Sequence, residues 1–229
     1  MTIVLPYKDD ILSGTELLFA LRSIEKHLTG FDNLVIIGDR PEWYKGEYVQ
    51  AKDYNGKQFS IYSKFLIACE LSNVTDNFIM WNDDIFLLKD IDTCQIDNWY
   101  DGKMKDTACK NHGLRYKEAI ANTLQYLPEG LNYDIHAPCI YNKKVFKMLF
   151  CNKTDEVCIK SYYYHYYKPN EGELYYEMKD LKINQLLSKE AIKELIKDRL
   201  FFSTSTNGMK KPMIELLNEL YPKPSKWEL

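Results

Sequence analysis

Across residues 2–90 short apolar runs alternate with helical stripes, and three of the runs end on polar groups. Thr2 to Leu5 reads as a short buried strand stopped by Pro6. Ser13-Gly-Thr-Glu16 has capping-box spacing, in which a Ser oxygen and a Glu carboxylate satisfy free amides at a helix start. Leu17, Leu21, Ile24 and Leu28 then form one apolar helical face, which Gly30 can end. Leu34 to Ile37 is a second apolar strand, closed by Gly38-Asp39. Val49 marks a weaker strand, Asn55-Gly56 a turn, and Ile61, Phe65, Ala68 and Leu71 a second helical face starting near Ser60. Phe78 to Trp81 is the next strand, and it runs straight into Asn82-Asp83-Asp84. Strand, helix, strand, strand, helix, strand predicts an α/β fold with a mainly parallel sheet flanked by helices. In such sheets functional groups gather at the carboxyl ends of strands. Pro6-Tyr7-Lys8, Gly38-Asp39 and Asn82-Asp83-Asp84 are therefore expected to converge.

The later residues are less regular. Lys117 to Tyr126, Asn142 to Phe150, Ala191 to Asp198 and Lys210 to Leu220 read as helices, and Arg199 to Ser203 as a late strand. Tyr162-Tyr-Tyr-His-Tyr-Tyr167 is biased but short; its plain reading, against a functional His165, is an aromatic surface loop. With no repeat and no low-complexity linker, residues 1–229 are expected to form one domain. A net charge of −3 disfavours a general nucleic-acid or anionic-membrane surface. No apolar stretch has the length of a membrane span, and the N-terminus lacks signal-peptide character. The six cysteines show no Cys-x-x-Cys pair, which predicts reduced, structural thiols and a cytoplasmic setting. On the same ground the two Asn-x-Thr triplets, at Asn73 and Asn152, read as chance rather than glycosylation sites.

The chemistry centres on the paired carboxylates. Adjacent like charges between apolar runs are costly without a cation. Magnesium and manganese prefer oxygen ligands and often bind one or two carboxylates together with substrate phosphates. Asp83 and Asp84 at a parallel strand end suit a metal-held diphosphate, against the alternative of a cap or surface ion pair. Arg22 and Lys64, on the two early helices, can reach a phosphate or simply face solvent. His136, two residues after Asp134 and before Pro138, can act as a metal ligand or as a base oriented by that carboxylate, or hydrogen-bond structurally. His165 is a comparable candidate. The hydroxyl-rich Phe202-Ser-Thr-Ser-Thr-Asn-Gly208 suits a phosphate loop or a turn. No Gly-x-Gly-x-x-Gly, Walker or Gly-x-Ser-x-Gly motif is present.

Glu16-Leu-Leu-Phe-Ala-Leu-Arg-Ser-Ile-Glu-Lys-His27, Asn33-Leu-Val-Ile-Ile-Gly-Asp39, Pro41-Glu-Trp43 and Phe78-Ile-Met-Trp-Asn-Asp-Asp-Ile-Phe86 together resemble the second characteristic block of Stealth-type sugar-phosphate transferases. His136-Ala-Pro138 resembles the third block, and Phe202-Ser-Thr-Ser faintly the fourth. That family's first block, an aspartate-bearing strand, is missing. Ile3-Val-Leu-Pro-Tyr7 instead resembles the opening strand of GT-A glycosyltransferases, whose Asp-x-Asp motif lies at the same strand end as Asn82-Asp83-Asp84. Compact proteins of this style also resemble glycosyltransferases carried by bacteriophages and bacterial surface-polysaccharide loci.

The resemblance implies a GT-A-like (Rossmann-like) domain, with residues 1–90 as a nucleotide-sugar half and 91–229 as an acceptor half. It implies a hexosyl- or pentosyltransferase using Mn2+ or Mg2+ and a uridine diphosphate sugar, with a glycan or hydroxylated DNA base as acceptor. Pro6, Tyr7, Lys8, Arg22, Asp39, Lys64, Asn82 and Asp83 would bind the nucleotide-sugar. Asp84, Asp83 and His165 would serve the metal, and His136 with Asp134 would act at the transferred sugar. The alternatives are sugar-1-phosphate transfer and non-catalytic nucleotide-sugar binding. A basic run of Lys103, Lys105, Lys110, Arg115 and Lys117 would supply phosphate contacts if the acceptor were DNA.

Overall fold

The computed structural model describes residues 1–9, 12, 14–96, 98–108, 113–167 and 175–229. The chain begins β1 (Thr2–Tyr7), α1 (Thr15–His27), β2 (Leu28–Thr29), β3 (Asn33–Gly38), β4 (Glu47–Gln50), α2 (Lys57–Glu70), β5 (Asn77–Met80) and β6 (Ile85–Leu87). It continues β7 (Ile91–Asp92), β8 (Asn98–Tyr100), α3 (Met104–Ala108), α4 (Leu114–Tyr126), β9 (Cys139–Asn142), α5 (Lys143–Phe150) and α6 (Ile159–Tyr166). The last elements are β10 (Tyr175–Glu177), β11 (Lys182–Ile183), α7 (Lys189–Ile196), β12 (Phe201–Thr204) and α8 (Lys211–Leu220).

The central sheet has the order β4-β3-β1-β5-β9. Its first four strands are mutually parallel, and β9 closes the edge antiparallel to β5. Because side chains alternate across a strand, β1 splits between two cores. Ile3 and Leu5 meet Leu17, Leu21 and Ile24 of α1, while Val4 meets Phe65 and Ala68 of α2 on the other face. Both faces are covered, which is why these strands read as continuous apolar runs. The mainly parallel α/β sheet expected from the sequence is the one observed. Helix α1 starts on Gly14, whose left-handed φ of 77° a side chain would resist; Ser13 of the expected capping box lies outside the described residues. The helix ends at His27, before Gly30, because Leu28 and Thr29 leave it to pair with β7.

A second, smaller sheet of order β11-β12-β6 folds against α1, α7 and α8 through Phe86, Phe202, Ile192 and Met213. Its strand β12 takes in Ser203 and Thr204, two of the four hydroxyl residues of the expected loop, as buried strand residues. The tyrosine-rich segment is also not a surface loop. Tyr162, Tyr163 and Tyr164 are buried in α6 as part of the core. The Tyr164 hydroxyl accepts from Ile140 N–H at 3.0 Å and donates to the Ile140 carbonyl at 2.8 Å. The Tyr163 hydroxyl accepts from Asn142 N–H at 2.7 Å. Edge strand β9 therefore spends its outward backbone groups on tyrosine tips rather than on another chain. The described cysteines are free thiols, and Cys69, Cys139 and Cys158 are buried; Cys109 lies outside the described residues. Among the described residues no helix is long and apolar enough to cross a membrane.

Candidate functional site

The carboxyl ends of β1, β3 and β5 do meet. Gly38 has φ of 134°, and a Cβ there would lie 1.9 Å from the Tyr7 carbonyl oxygen. Only glycine allows that approach, which leaves the Tyr7 carbonyl to accept a 2.8 Å bond from buried Lys64 Nζ. Lys64 also pairs at 2.7 Å with Asp53, which binds Lys8 at 2.9 Å. Burial works against the Asp53 charge, but the bonds from Lys64, Ser60 and Lys8 outweigh it and hold the carboxyl well below its usual range. Asp39 Oδ2 accepts from Asp9 N–H at 3.0 Å, and the Tyr7 hydroxyl donates to Asp9 at 2.7 Å.

After β5, fully buried Trp81 anchors the next turn. Its backbone N–H binds the Val4 carbonyl at 3.1 Å and its indole donates to the Ile85 carbonyl at 3.2 Å. Asn82, Asp83 and Asp84 are thereby held between β5 and β6. The small sheet then brings a cation to them: Ser203 of β12 faces both Ile85 of β6 and Lys182 of β11. Lys182 Nζ lies 2.7 Å from Asp84 Oδ2, although the two residues are 98 apart in sequence. Burial resists both charges, yet their mutual attraction lowers the Asp84 pKa and raises that of Lys182. Asp83 moves the other way, upward, through burial and then the neighbouring Asp84 charge.

Lys182 Nζ is also 3.2 Å from His136 Nε2, and His136 Nδ1 is 2.7 Å from Asp180 Oδ2. An ammonium has no lone pair to accept with and an ionised carboxylate has no proton to donate. His136 is therefore assigned as the neutral imidazole, donating from Nδ1 to Asp180 and accepting at Nε2 from Lys182. Asp180 Oδ1 accepts from His136 N–H at 3.0 Å as well. Burial opposes the Asp180 charge, but these bonds from His136 prevail and lower its pKa.

The loop carrying His136 is clamped from beneath by Lys160, which is 6% exposed. Its ammonium donates to the carbonyls of Ile135 at 2.7 Å and Ala137 at 2.6 Å, one on either side of the histidine. Asp134 is engaged with the same element: its carboxylate accepts from Lys160 N–H at 3.3 Å and Ser161 N–H at 2.9 Å, at the first turn of α6. Burial raises its pKa against those bonds. The carboxylate that orients His136 is thus Asp180, not Asp134.

Two cavities meet here. One of about 380 Å³ is lined by Pro6, Lys8, Lys57, Lys64, Asn82, Asp83, Asp84 and Arg115. The other, about 510 Å³, extends past Asp101, Asn132, Asp134 and Asp180. Lys57, Ile61, Asn82, His136 and Lys182 line both. Tyr7 and Asp39 line neither cavity. Arg22 is elsewhere: it forms a forked pair with Glu228 at 2.8 and 2.6 Å and binds the Tyr221 carbonyl at 3.3 Å, fastening α1 to the C-terminal residues. His165 is exposed in the last turn of α6 beside Tyr166 and lines neither cavity. Lys103 and Lys105 of the basic run both pair with Glu129, and Lys110 lies outside the described residues. Lys57, Lys160, Asp180 and Lys182 are site residues that sequence periodicity did not single out. The spacing of Lys160 in a tyrosine-rich segment and the isolation of Lys182 between two apolar residues were the only signals available.

Among the described residues no cluster of three or more His, Cys, Asp and Glu side chains is arranged to hold a metal. The Asp83–Asp84 pair nevertheless fits a cation completed by phosphate and water oxygens. Asp84 Oδ1 is buried with no hydrogen-bond partner among the described residues, and Asp83 is disfavoured as an anion where it stands.

The sequence matches no protein-family model and no curated protein. Among solved structures the chain is similar to a glycosyltransferase involved in the glycosylation of the major capsid of PBCV-1. The two share 12% identity at a TM-score of 0.43, over 97% of this chain and 98% of that one.

Proposed function

We propose that this chain is a glycosyltransferase that moves a sugar from a nucleotide-sugar, of the uridine diphosphate class, to a hydroxyl of a glycan acceptor. The observation that carries the reading is the chain Asp84–Lys182–His136–Asp180, set where a cation-rich cavity joins a polar one at the carboxyl ends of parallel strands. Lys8, Lys57, Lys182 and Arg115 surround the smaller cavity and suit a diphosphate. Pro6 and the β1 end border the space for the nucleoside. Asn82 lies at the junction, within reach of the sugar's hydroxyls. The larger cavity, with Asp101, Asn132 and Asp180 on its wall, offers acceptors and donors of the kind that bind neutral hydroxyl-rich ligands. Lys103 and Lys105 are tied to Glu129 rather than presented to phosphates, which favours a glycan over modified DNA.

The proposed step is a direct displacement. His136 Nε2 takes the acceptor proton, the acceptor oxygen bonds the anomeric carbon, and the bond to the diphosphate breaks with its electron pair leaving on the phosphate oxygen. Asp180 holds the imidazole in the required tautomer and stabilises the imidazolium that forms. Lys57, Lys182 and Arg115 receive the negative charge on the departing group. Asp84 and Asp83 would hold Mn2+ or Mg2+, which supplies further neutralisation of that charge when bound.

Calorimetric titration of UDP and a panel of uridine and guanosine diphosphate sugars tests the donor. Binding to the wild type that weakens in Lys57→Ala and Arg115→Ala supports the reading. Equal affinity in the wild type and both variants contradicts the placement of the diphosphate.

A further inference from the structure

One contact in the site has a consequence for how a cation reaches it. Lys182 Nζ occupies Asp84 Oδ2 at 2.7 Å, the carboxylate oxygen of Asp84 that is already paired, while Oδ1 is buried and unpartnered among the described residues. The same ammonium donates to His136 Nε2 at 3.2 Å. Asp84 has 14% of its side chain exposed and Lys182 27%, so both sit in a partly desolvated setting where neighbouring charges act strongly on one another. A divalent ion on Asp84 draws on the same carboxylate charge and brings two positive charges beside an ammonium. The two cations therefore compete for the charge of this carboxylate.

Resting on the metal role proposed for Asp83 and Asp84, we propose that Lys182 is the resident counter-ion of Asp84 and exchanges with a divalent cation at that carboxylate. While Lys182 holds Asp84 Oδ2, it also covers the lone pair of His136. When Lys182 leaves Asp84, its ammonium is released toward the cation-rich cavity, where a diphosphate is its natural partner. His136 Nε2 simultaneously loses its donor and becomes open to an acceptor hydroxyl. The exchange thus links filling of the donor side to exposure of the base, which stays covered as long as Lys182 holds Asp84. Asp180 keeps the imidazole oriented throughout, because its two bonds to His136 do not involve Lys182.

The test is manganese binding itself, measured by electron paramagnetic resonance of free Mn2+ over the full chain stripped of metal. It compares the wild type with Lys182→Met, Lys182→Gln and Asp84→Asn. Both lysine variants are checked for native thermal unfolding, the Gln variant retaining polar atoms if the Met variant fails to fold. Removing the competing charge is expected to tighten Mn2+ binding by about tenfold or more, and Asp84→Asn to abolish it. A merely structural Lys182 would leave affinity unchanged or weaken it. Unchanged or weaker binding in the folded lysine variant overturns the exchange, as does Mn2+ binding in none of the proteins. A parallel UDP titration separates this from the function: UDP binding with no change in Mn2+ affinity leaves the transferase reading standing and removes the exchange. Tighter Mn2+ binding without any UDP binding does the reverse.

Discussion

Asp180→Asn probes the proposed base without altering any residue that lines the smaller, diphosphate-sized cavity. Asp180 accepts twice from His136, at 3.0 Å from the backbone N–H and at 2.7 Å from Nδ1. An asparagine has one oxygen to offer. If it serves the backbone N–H, the amide nitrogen faces Nδ1, which must then accept, and the imidazole proton moves to Nε2. That proton would point at the Lys182 ammonium, so the base is both in the wrong tautomer and repelled by its neighbour. Loss of general-base assistance costs about 10²–10⁴-fold in kcat. The donor-binding residues are untouched, so KM for the nucleotide-sugar should stay within about twofold, since a group acting only in the transition state lowers kcat and kcat/KM together. The folded state should lose about 1–3 kcal/mol from the imperfectly satisfied amide. Steady-state kinetics on folded protein, with thermal unfolding alongside, reads all three. A kcat within twofold of wild type would refute the assignment of His136 as a base oriented by Asp180.

Arg22→Ala should destabilise rather than disable: it strands buried Glu228, which costs about 3–5 kcal/mol. At about 2–4 °C per kcal/mol for a chain of this size, the melting temperature should fall by about 6 °C or more, with nucleotide affinity unchanged at permissive temperature. A selective rise in KM would return Arg22 to the nucleotide. The same pair predicts an acid dependence. Burial opposes the Glu228 charge, but Arg22 and the Ser225 N–H lower its folded pKa overall. Its stabilisation is therefore present above the usual carboxylate value of about 4.3 and is lost as pH falls through the lower folded value. Melting curves from pH 7 down to pH 3 should show this loss, and Glu228→Gln should remove that part of the slope. Lys160→Met should remove the ammonium that bonds the carbonyls of Ile135 and Ala137 and lower kcat by loosening the His136 loop, while Mn2+ affinity at Asp84, measured by titration, stays near wild type.

What the sequence disclosed was local. The runs at Thr2–Leu5, Leu34–Ile37 and Phe78–Trp81 became parallel neighbours because both faces of each are apolar, and their polar ends converge as such sheets require. Asn82, Asp83, Asp84 and His136, which line the cavities, are legible from strand ends and motif resemblance. Arg22 was misplaced because helical spacing shows that it lies near the apolar stripe without showing which element covers it. Here the cover is the C-terminal Ser225–Glu228 segment. Asp134 was paired with His136 by adjacency, whereas a residue 44 positions away fills that role. Lys182 lies on a two-residue strand with no periodicity to read, and it meets Asp84 only through β12. The tyrosine cluster had surface-loop composition, yet its hydroxyls pair with β9 and its rings enter the core.

Glycosyl transfer at the junction of the two cavities is tested by incubating the purified chain and Asp84→Ala with nucleotide-sugars and glycan acceptors, with and without Mn2+, and identifying the released nucleotide by chromatography. The expected products are nucleoside diphosphate and a glycosylated acceptor, formed faster with Mn2+ and absent with Asp84→Ala. Release of nucleoside monophosphate would contradict it in favour of sugar-1-phosphate transfer, and donor binding without any turnover would contradict it in favour of a non-catalytic binder.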